Sequence, residues 1–249
     1  LTTSMNLRPM LFGVLTGALQ EPEIRVGMAR YMAARRPWRV AFLKHAAPQA
    51  APGDVAALLS KAGVADNSDL REINALVIHR FIGERQVSGA INFASKLPGA
   101  QPEHFAAFGF SVATTDPAFA PLTWRLNDGA VSASLDGNGR VTVIAEAGAG
   151  GTAIDRAVRL RPGFYQMRHK ITISDTPPAR LWWEWQCLGI MLSSLGEFEI
   201  PLTAGLSDFQ ASVTVPAGCD GVAMILKVAG AEASGTASVI LEGLAIGRR

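Results

Sequence analysis

Two hydrophobic periods divide the chain. Between residues 22 and 97 the apolar residues recur every three or four positions, as Ile24, Met28 and Met32 do. This spacing puts their side chains on one face of a helix. Beyond residue 122 apolar and polar residues alternate instead, and turns containing Gly or Pro separate the runs. We therefore predict a helical N-terminal part followed by a β-stranded C-terminal part.

Proline, glycine and capping residues set the predicted helix boundaries. One helix follows Pro22 and ends before Pro37, and another begins at the Asn67-Ser68-Asp69 cluster and closes at Gly83. Short helices with short connections indicate antiparallel helix pairs. The apolar run Met10–Leu19 is too short to cross a bilayer, so we expect no membrane span in this chain.

The alternating segments predict strands with no helix between them. They are Leu122–Leu126, Val131–Leu135, Arg140–Ala145, Thr152–Leu160, Gly163–Ser174, Arg180–Leu188, Phe209–Val215, Gly221–Val228 and Ala237–Ile246. Such a series folds as an antiparallel sandwich. The predicted fold class is α+β with two domains, namely an all-α domain over residues 1–110 and a jelly-roll β-sandwich over residues 111–249.

Charge and motif content narrow the function. The 249 residues carry a formal charge of +2, which combines +4 over residues 1–110 with −2 over residues 111–249. This excess is too small for a nucleic-acid partner. Two Cys exclude a disulfide-dense scaffold and a Cys-only zinc site. The sequence has no complete catalytic motif, so we expect no enzyme activity. His169, between Arg168 and Lys170, is predicted to face solvent.

Four segments of the C-terminal half follow a recognisable order. They are LTWRLNDG (Leu122–Gly129), RAVRLRPGFYQMRHKITI (Arg156–Ile173) with its Pro-Gly-x-Tyr, FQASVTVPAGCDGVAMILKVAG (Phe209–Gly230) and the closing ASVILEGLAIGRR (Ala237–Arg249). In this order they resemble carbohydrate-binding-module-like jelly rolls of the galactose-binding-domain type. The resemblance implies a sandwich that binds carbohydrate.

The helical part adds a second resemblance. RPWRVAFLKHAAP (Arg36–Pro48) and INALVIHRFIGERQVSGAINFASKLPG (Ile73–Gly99) are similar to the last tetratricopeptide-like helical units of a group of bacterial envelope proteins. In that group such helices precede a jelly roll, and the proteins are associated with exopolysaccharide or cell-envelope loci. The resemblance implies an exported, periplasmic or envelope-associated protein.

These resemblances also bear on the cysteines and on metal binding. Cys187 and Cys219 are either two small buried thiols or one disulfide, and the envelope resemblance favours the disulfide. Jelly rolls of this type often hold a structural Ca²⁺ between acids of the opening and closing strands. Here FGFSVATTD (Phe108–Asp116) lacks the opening acid, and the closing acid is Glu242. We therefore predict no metal or other cofactor, with Glu242 as a weak candidate ligand.

A tryptophan-rich strand supplies the candidate ligand site. Alternation puts two sets of side chains on opposite faces, Leu181, Trp183, Trp185 and Cys187 on one and Trp182, Glu184 and Gln186 on the other. An outward Trp beside hydrogen-bonding groups suits a sugar ring. The alternative is that all three Trp are structural and that a loop or the helices cover Trp182. Arg125, Arg168, Glu199 and Asp208 could join the site.

Two functional hypotheses follow. The first is a non-catalytic carbohydrate-binding or polysaccharide-associated envelope protein with a polysaccharide ligand. The alternative is a protein–protein interaction scaffold, in which the helical domain binds a protein partner and the β-sandwich is purely structural.

Overall fold

The computed structural model of the chain describes residues 8–34, 37–62, 68–173, 176–189, 192–232 and 235–249. Within these residues the α-helices lie between residues 8 and 106, and the strands lie between residues 125 and 248. The strands form two antiparallel sheets that face each other. The predicted fold class, helices followed by an antiparallel β-sandwich, is therefore confirmed.

The helices are short and closely connected. They are α1 Arg8–Gly17, α2 Pro22–Ala33, α3 Arg39–Ala46, α4 Pro52–Ala62, α5 Ser68–Gly83, α6 Val87–Ala94 and α7 Pro102–Ala106. The sequence pattern does not predict α1, which overlaps the apolar run, or α7, which has only five residues. The predicted helix start at Asn67 lies outside the described residues. No helix in the described ranges is long and apolar enough to cross a membrane.

The strands that the structure describes are β1 Arg125–Leu126, β2 Val131–Leu135, β3 Val141–Ala145, β4 Gly150–Val158, β5 Gly163–Ile173, β6 Arg180–Gly189, β7 Leu192–Glu199, β8 Gly205–Val215, β9 Cys219–Ala229 and β10 Ala237–Arg248. The first sheet has the order β1-β4-β9-β6-β7, and the second sheet has the order β2-β3-β10-β5-β8.

The sequence pattern does not predict β7. The pairing of β6 with β7 changes register between Trp185 and Gln186. Leu195 and Phe198 both pack on the sandwich core although they are three residues apart. A bulge of this kind breaks the two-residue alternation from which strands are recognised.

The sandwich core contains large aromatic side chains. Trp124, Trp183 and Trp185 are at most 1% exposed. The rings of Trp124 and Trp183 lie 5.9 Å apart between centroids, and the Trp124 indole also donates a hydrogen bond to the carbonyl oxygen of Phe108 at 3.0 Å. This bond satisfies a buried N–H and ties the segment before β1 to the core.

His169 belongs to this core, so the prediction that it faces solvent is wrong. It is 3% exposed, and its Nε2 accepts a hydrogen bond from Trp183 Nε1 at 3.0 Å. Met167 and Ile171, two positions away on either side, are also buried. Because side chains alternate along a strand, His169 faces the core together with Met167 and Ile171, and its charged neighbours Arg168 and Lys170 face solvent.

Arg156 on β4 joins the sandwich to the segment that leads out of the helices. Its side chain is almost fully buried. Nε donates to the carbonyl oxygen of Leu122 at 2.8 Å, Nη1 to that of Ala107 at 2.5 Å, and Nη2 to that of His104 at 2.8 Å. One guanidinium therefore satisfies three carbonyl groups from separate parts of this segment.

The surroundings of Arg156 are otherwise aromatic. Its guanidinium carbon lies 5.9 Å from the ring centroid of Phe108 and 5.6 Å from that of Trp124. Burial lowers the pKa of Arg156 to about 10, so the group stays charged at neutral pH. The three carbonyl dipoles and the two ring faces are the groups that stabilise this charge.

The helices rest directly on the first sheet. The Asp220 carboxylate accepts a hydrogen bond from the backbone N–H of Ser88 at 2.7 Å near the start of α6. A Cβ on Gly221 would lie only 2.5 Å from Cγ2 of Val87, so glycine permits this close approach. The domain boundary near residue 110 stays a prediction, because Leu122 packs in the same apolar cluster as the helices.

A disulfide joins Cys187 on β6 to Cys219 at the start of β9, and their Cα atoms are 5.4 Å apart. The bond links two neighbouring strands of the first sheet. It lies close to Asp220 and Gly221, the residues of β9 that contact α6. It closes a loop of 32 positions in sequence.

We predict that Arg156→Met lowers the free energy of unfolding by about 2–4 kcal/mol, because three carbonyl groups, two of them in buried hydrogen bonds, lose their donor. Urea unfolding followed by circular dichroism and Trp fluorescence measures this loss. The same substitution at the exposed Arg159 is the control, and we expect it to change stability by less than ~0.5 kcal/mol. Equal stability of the two variants would contradict the role given to Arg156.

We predict that His169 makes stability fall as the pH is lowered from about 6.5 to 4. Burial lowers the pKa of His169 from 6.5 to about 4, so between these values the unfolded chain binds a proton that the folded chain does not. This linkage amounts to about 3 kcal/mol at pH 4. His169→Gln keeps an acceptor for Trp183 but does not titrate. The difference in unfolding free energy between wild type and His169→Gln, measured from pH 7 to pH 4, should therefore change with pH; a constant difference would count against this assignment.

We predict that the disulfide stabilises the fold by about 2–4 kcal/mol. Oxidised protein should show no reactive thiol when it is denatured without reductant, and dithiothreitol should lower the urea midpoint. The Cys187→Ser/Cys219→Ser variant should have the lower midpoint and should not respond to dithiothreitol. Two reactive thiols in the oxidised, denatured protein would refute the bond.

Candidate functional site

The candidate site lies on the outward face of β6. Leu181, Trp183, Trp185 and Cys187 are buried, whereas Trp182, Glu184 and Gln186 are half-buried. These are the two faces that the alternation predicts. Trp182, Glu184 and Gln186 therefore form a row along one strand, about 13 Å long.

Neighbouring strands add a polar border to this row. On β7, Glu199 pairs with Trp182, Glu197 with Glu184, and Ser194 with Gln186. All three β7 residues are exposed. On the other side, β9 places Lys227, Ile225 and Ala223 next to the same three residues of β6. The row thus has an acidic edge on β7 and a mixed basic and apolar edge on β9.

Trp182 carries a cation on its ring. The guanidinium carbon of Arg180 lies 4.4 Å from the ring centroid, which is a cation–π contact. Arg180 also reaches the carboxylates of Glu197, at 3.3 Å, and Glu199, at 3.6 Å. These side chains are substantially exposed, and ion pairs of this kind contribute little to stability.

Glu184 is the centre of a polar network. Lys227 Nζ lies 2.5 Å from one carboxylate oxygen, and Gln186 Nε2 donates a hydrogen bond to the other. The hydrogen bond from Lys227 is the main reason that the pKa of Glu184 lies below its ordinary value, and the bond from Gln186 acts in the same direction. Glu184 is therefore a fixed, ionised acceptor at neutral pH.

The helices cover one end of the same sheet face and leave the Trp182 end uncovered. Ala157 and Leu188 belong to the apolar cluster of the helices, and Ala223 packs against it. Gln186 pairs with Ala223, so the row runs from Trp182 up to the edge of the helical layer. Trp182 is half-buried and is not part of the apolar cluster of the helices. The alternative, that all three Trp are structural, stays a prediction.

Not all predicted contributors come together. Glu199 lies beside Trp182, and Arg125 lies on β1 of the same sheet, where it bonds Asp155 at 2.8 Å. Arg168 and Asp208 are on the second sheet. Arg168 on β5 pairs with Gln210 on β8, and Asp208 on β8 pairs with Lys170 on β5. They cannot contribute to the Trp182 surface, because the core of the sandwich separates the two sheets.

Glu242 does not form a metal site in the described part of the chain. It pairs with Lys170 across β10 and β5, and a register shift follows it. Among the residues that the structure describes, no group of three or more His, Cys, Asp or Glu side chains is arranged to hold a metal ion.

Two cavities lined by described residues lie away from the Trp182 surface. A cleft of about 720 Å³ lies elsewhere, between the turn that joins α5 to α6 and the end of β6, and Glu84, Gln86 and Asp220 are among its lining residues. A smaller cavity of about 270 Å³ lies beside α5, with Arg71 and Asp116 in its wall. Neither includes a residue of the row on β6.

Sequence reasoning missed two residues of the site. Arg180 precedes Trp182 by two positions and shares its face, so strand parity could have identified it. Lys227 is 43 positions from Glu184, and only the pairing of β6 with β9 brings the two together.

Comparison with known proteins concerns the sandwich alone. No protein-family model and no curated protein matches the chain. Among solved structures, the chain is similar to a CBM4 structure (15% identity, 49% of this chain and 90% of that chain, TM-score 0.36). It is also similar to a family 16 carbohydrate-binding module-2 (14% identity, 51% of this chain and 91% of that chain, TM-score 0.38). A third similar structure is the N-terminal cellulose-binding domain of Cellulomonas fimi β-1,4-glucanase C (14% identity, 52% of this chain and 91% of that chain, TM-score 0.37). These three structures are carbohydrate-binding domains, and each likeness covers about half of this chain.

Proposed function

We propose that this protein binds carbohydrate on the outward face of the first sheet, with Trp182 as the stacking platform and Glu184 and Gln186 as hydrogen-bonding partners. The observation that carries the proposal is a half-buried Trp on a sheet face that the helices leave open, surrounded by fixed polar side chains. A sugar ring offers the matching chemistry, an apolar face and a rim of hydroxyl groups.

The polar groups are held in place before the ligand arrives. Lys227 and Gln186 each fix one oxygen of the Glu184 carboxylate. Each carboxylate oxygen can accept a further hydrogen bond from a sugar hydroxyl. Because these side chains are already oriented, binding costs less conformational entropy.

Arg180 stacks on the Trp182 ring in the free protein, and in our proposal a sugar ring replaces it. Its anchors, Glu197 and Glu199, are exposed and hold it weakly. Binding of a sugar ring therefore has to break this cation–π contact first, which weakens binding.

We propose further that binding is not followed by catalysis. Glu184, Glu197 and Glu199 lie on one face of two adjacent strands. Hydrolysis of a glycosidic bond requires two carboxyl groups on opposite sides of the bond. The pairing of Glu184 with Lys227 also supports this view, because it keeps Glu184 ionised and unable to act as an acid.

An exported protein associated with envelope polysaccharide is the setting that we propose. The disulfide between Cys187 and Cys219 supports it, since disulfides persist mainly in oxidising compartments. The tetratricopeptide-like character of the helices belongs to the same proposal.

A binding experiment tests the Trp182 site. We expect Trp182→Ala to weaken binding to a neutral polysaccharide by about tenfold or more, equivalent to ~1.4 kcal/mol. Binding is measured on an array of neutral glycans (β-glucan, xylan, galactan and dextran) and, for each glycan that binds, by isothermal titration calorimetry. Arg180→Ser should bind more tightly than wild type, because the ring face is then free.

Tyr31→Ala, which removes an exposed aromatic residue of α2, is the matched control and should bind as wild type does. If no neutral glycan binds, or if Trp182→Ala binds as tightly as Tyr31→Ala, the proposal is wrong. A structural sandwich in a protein–protein scaffold would give that result.

A further inference from the structure

The outward face of the second sheet carries two arginines that lie close together, one in the middle of β5 and one directly after β10. Arg168 Nη2 and Arg249 Nη2 both donate to Oε1 of Gln166, the latter at 3.2 Å. Two hydrogen bonds to one atom keep these nitrogens within about 6 Å of each other. We call Arg168 and Arg249 the arginine cluster.

Gln166 holds the cluster together. It is only 6% exposed although it lies on the outward side of β5, and both arginines are exposed. A neutral amide oxygen orients the two guanidinium groups but does not balance their charge. The cluster is therefore a pre-arranged pair of cations with most of its N–H groups directed to solvent.

The arginine cluster has no carboxylate at a directly paired position. Along residues 163–168 of β5, none of the paired positions on β8 or β10 is Asp or Glu. No salt bridge in the described ranges includes Arg168, Arg248 or Arg249. The next basic residue outward on β5, Lys170, differs in this respect, because Asp208 and Glu242 flank it on both sides.

Neutral polar groups continue the same surface on β8. Thr214 pairs with Phe164, Ser212 with Gln166, and Gln210 with Arg168, and all three β8 residues are exposed. Phe164 is itself 40% exposed. On the opposite side, β10 places Gly247 next to Gln166 and Ala245 next to Arg168, so small residues leave the approach to the arginines open.

We propose that this face is a second binding surface, which takes an acidic polysaccharide through its carboxylate or sulfate groups. Arg168 and Arg249 bind one such group between them, and the planar guanidinium suits the planar carboxylate or the sulfate oxygens. Thr214, Ser212 and Gln210 meet the hydroxyl groups of the adjoining sugars. The surface lies on the opposite side of the sandwich from Trp182 and works independently of it.

The neutral groups favour a polysaccharide over a lipid headgroup. A membrane-binding surface combines basic groups with apolar side chains that enter the bilayer. Here the row on β8 beside the arginines consists of hydroxyl and amide groups, which match the hydroxyl groups of a polymer, and the exposed ring of Phe164 can stack on a sugar ring.

The test uses the full chain and three polymers, namely polygalacturonate, dextran sulfate and uncharged dextran. We expect wild type to bind at least one of the two acidic polymers in affinity electrophoresis, with binding that weakens as NaCl rises from 50 to 300 mM. Arg168→Gln/Arg249→Gln should raise the dissociation constant about tenfold or more. Ser212→Asp, which keeps every arginine but adds a carboxylate beside Gln166, should weaken binding in the same direction.

Arg30→Gln/Lys96→Gln is the control, because it removes the same charge from exposed positions of the helical part. It should change the dissociation constant less than twofold, and Trp182→Ala should leave it unaltered. Equal loss in both double variants would show a non-specific charge effect and overturn the proposal. Binding to phosphatidylglycerol vesicles without binding to either acidic polymer would overturn it in favour of a lipid surface.

Discussion

A single buried guanidinium makes the helical part and the sandwich one structure. Arg156 bonds three carbonyl groups of the segment between residues 104 and 122, and that segment leads from the last helix into the first strand. Without this donor, the buried carbonyl groups of His104 and Leu122 would have no partner, and the segment would lose its attachment to β4. The contacts of Ser88 with Asp220 and of Val87 with Gly221 then place α6 on the first sheet.

The position of the helices decides which part of the first sheet remains available. Apolar side chains at Ala157 and Leu188 extend the helical core onto the sheet, and beyond them the face is open. The row from Trp182 to Gln186 occupies this open part. Because the helices cover the other end, a ligand on Trp182 meets a flat strip bounded by protein on one side. The carbohydrate site that we propose is therefore shaped by both parts of the chain.

The two outward faces of the sandwich differ in electrostatic character. On the first sheet every charged group of the site has an opposite partner, as Glu184 has Lys227 and Arg180 has Glu197. On the second sheet the arginine cluster shares only the neutral oxygen of Gln166. Paired charges suit a neutral ligand with many hydroxyl groups, whereas cations without a counter-charge suit an anion. The proposed ligands of the two faces follow from this difference.

Local patterns in the sequence determined the fold class and the two faces of β6, because helix and strand periods are set by neighbouring residues. The alternation of β5 also puts His169 on the buried face with Met167 and Ile171, but its charged neighbours Arg168 and Lys170 favour the wrong prediction that it faces solvent. Only the tertiary structure decided what depends on contacts between distant strands. The bulge that hides β7, the pairing of Lys227 with Glu184, the meeting of Arg168 with Arg249 and the burial of Arg156 all require a register or a packing partner. A chain of alternating residues fixes which side chains share a face, but it does not fix which strand lies beside it.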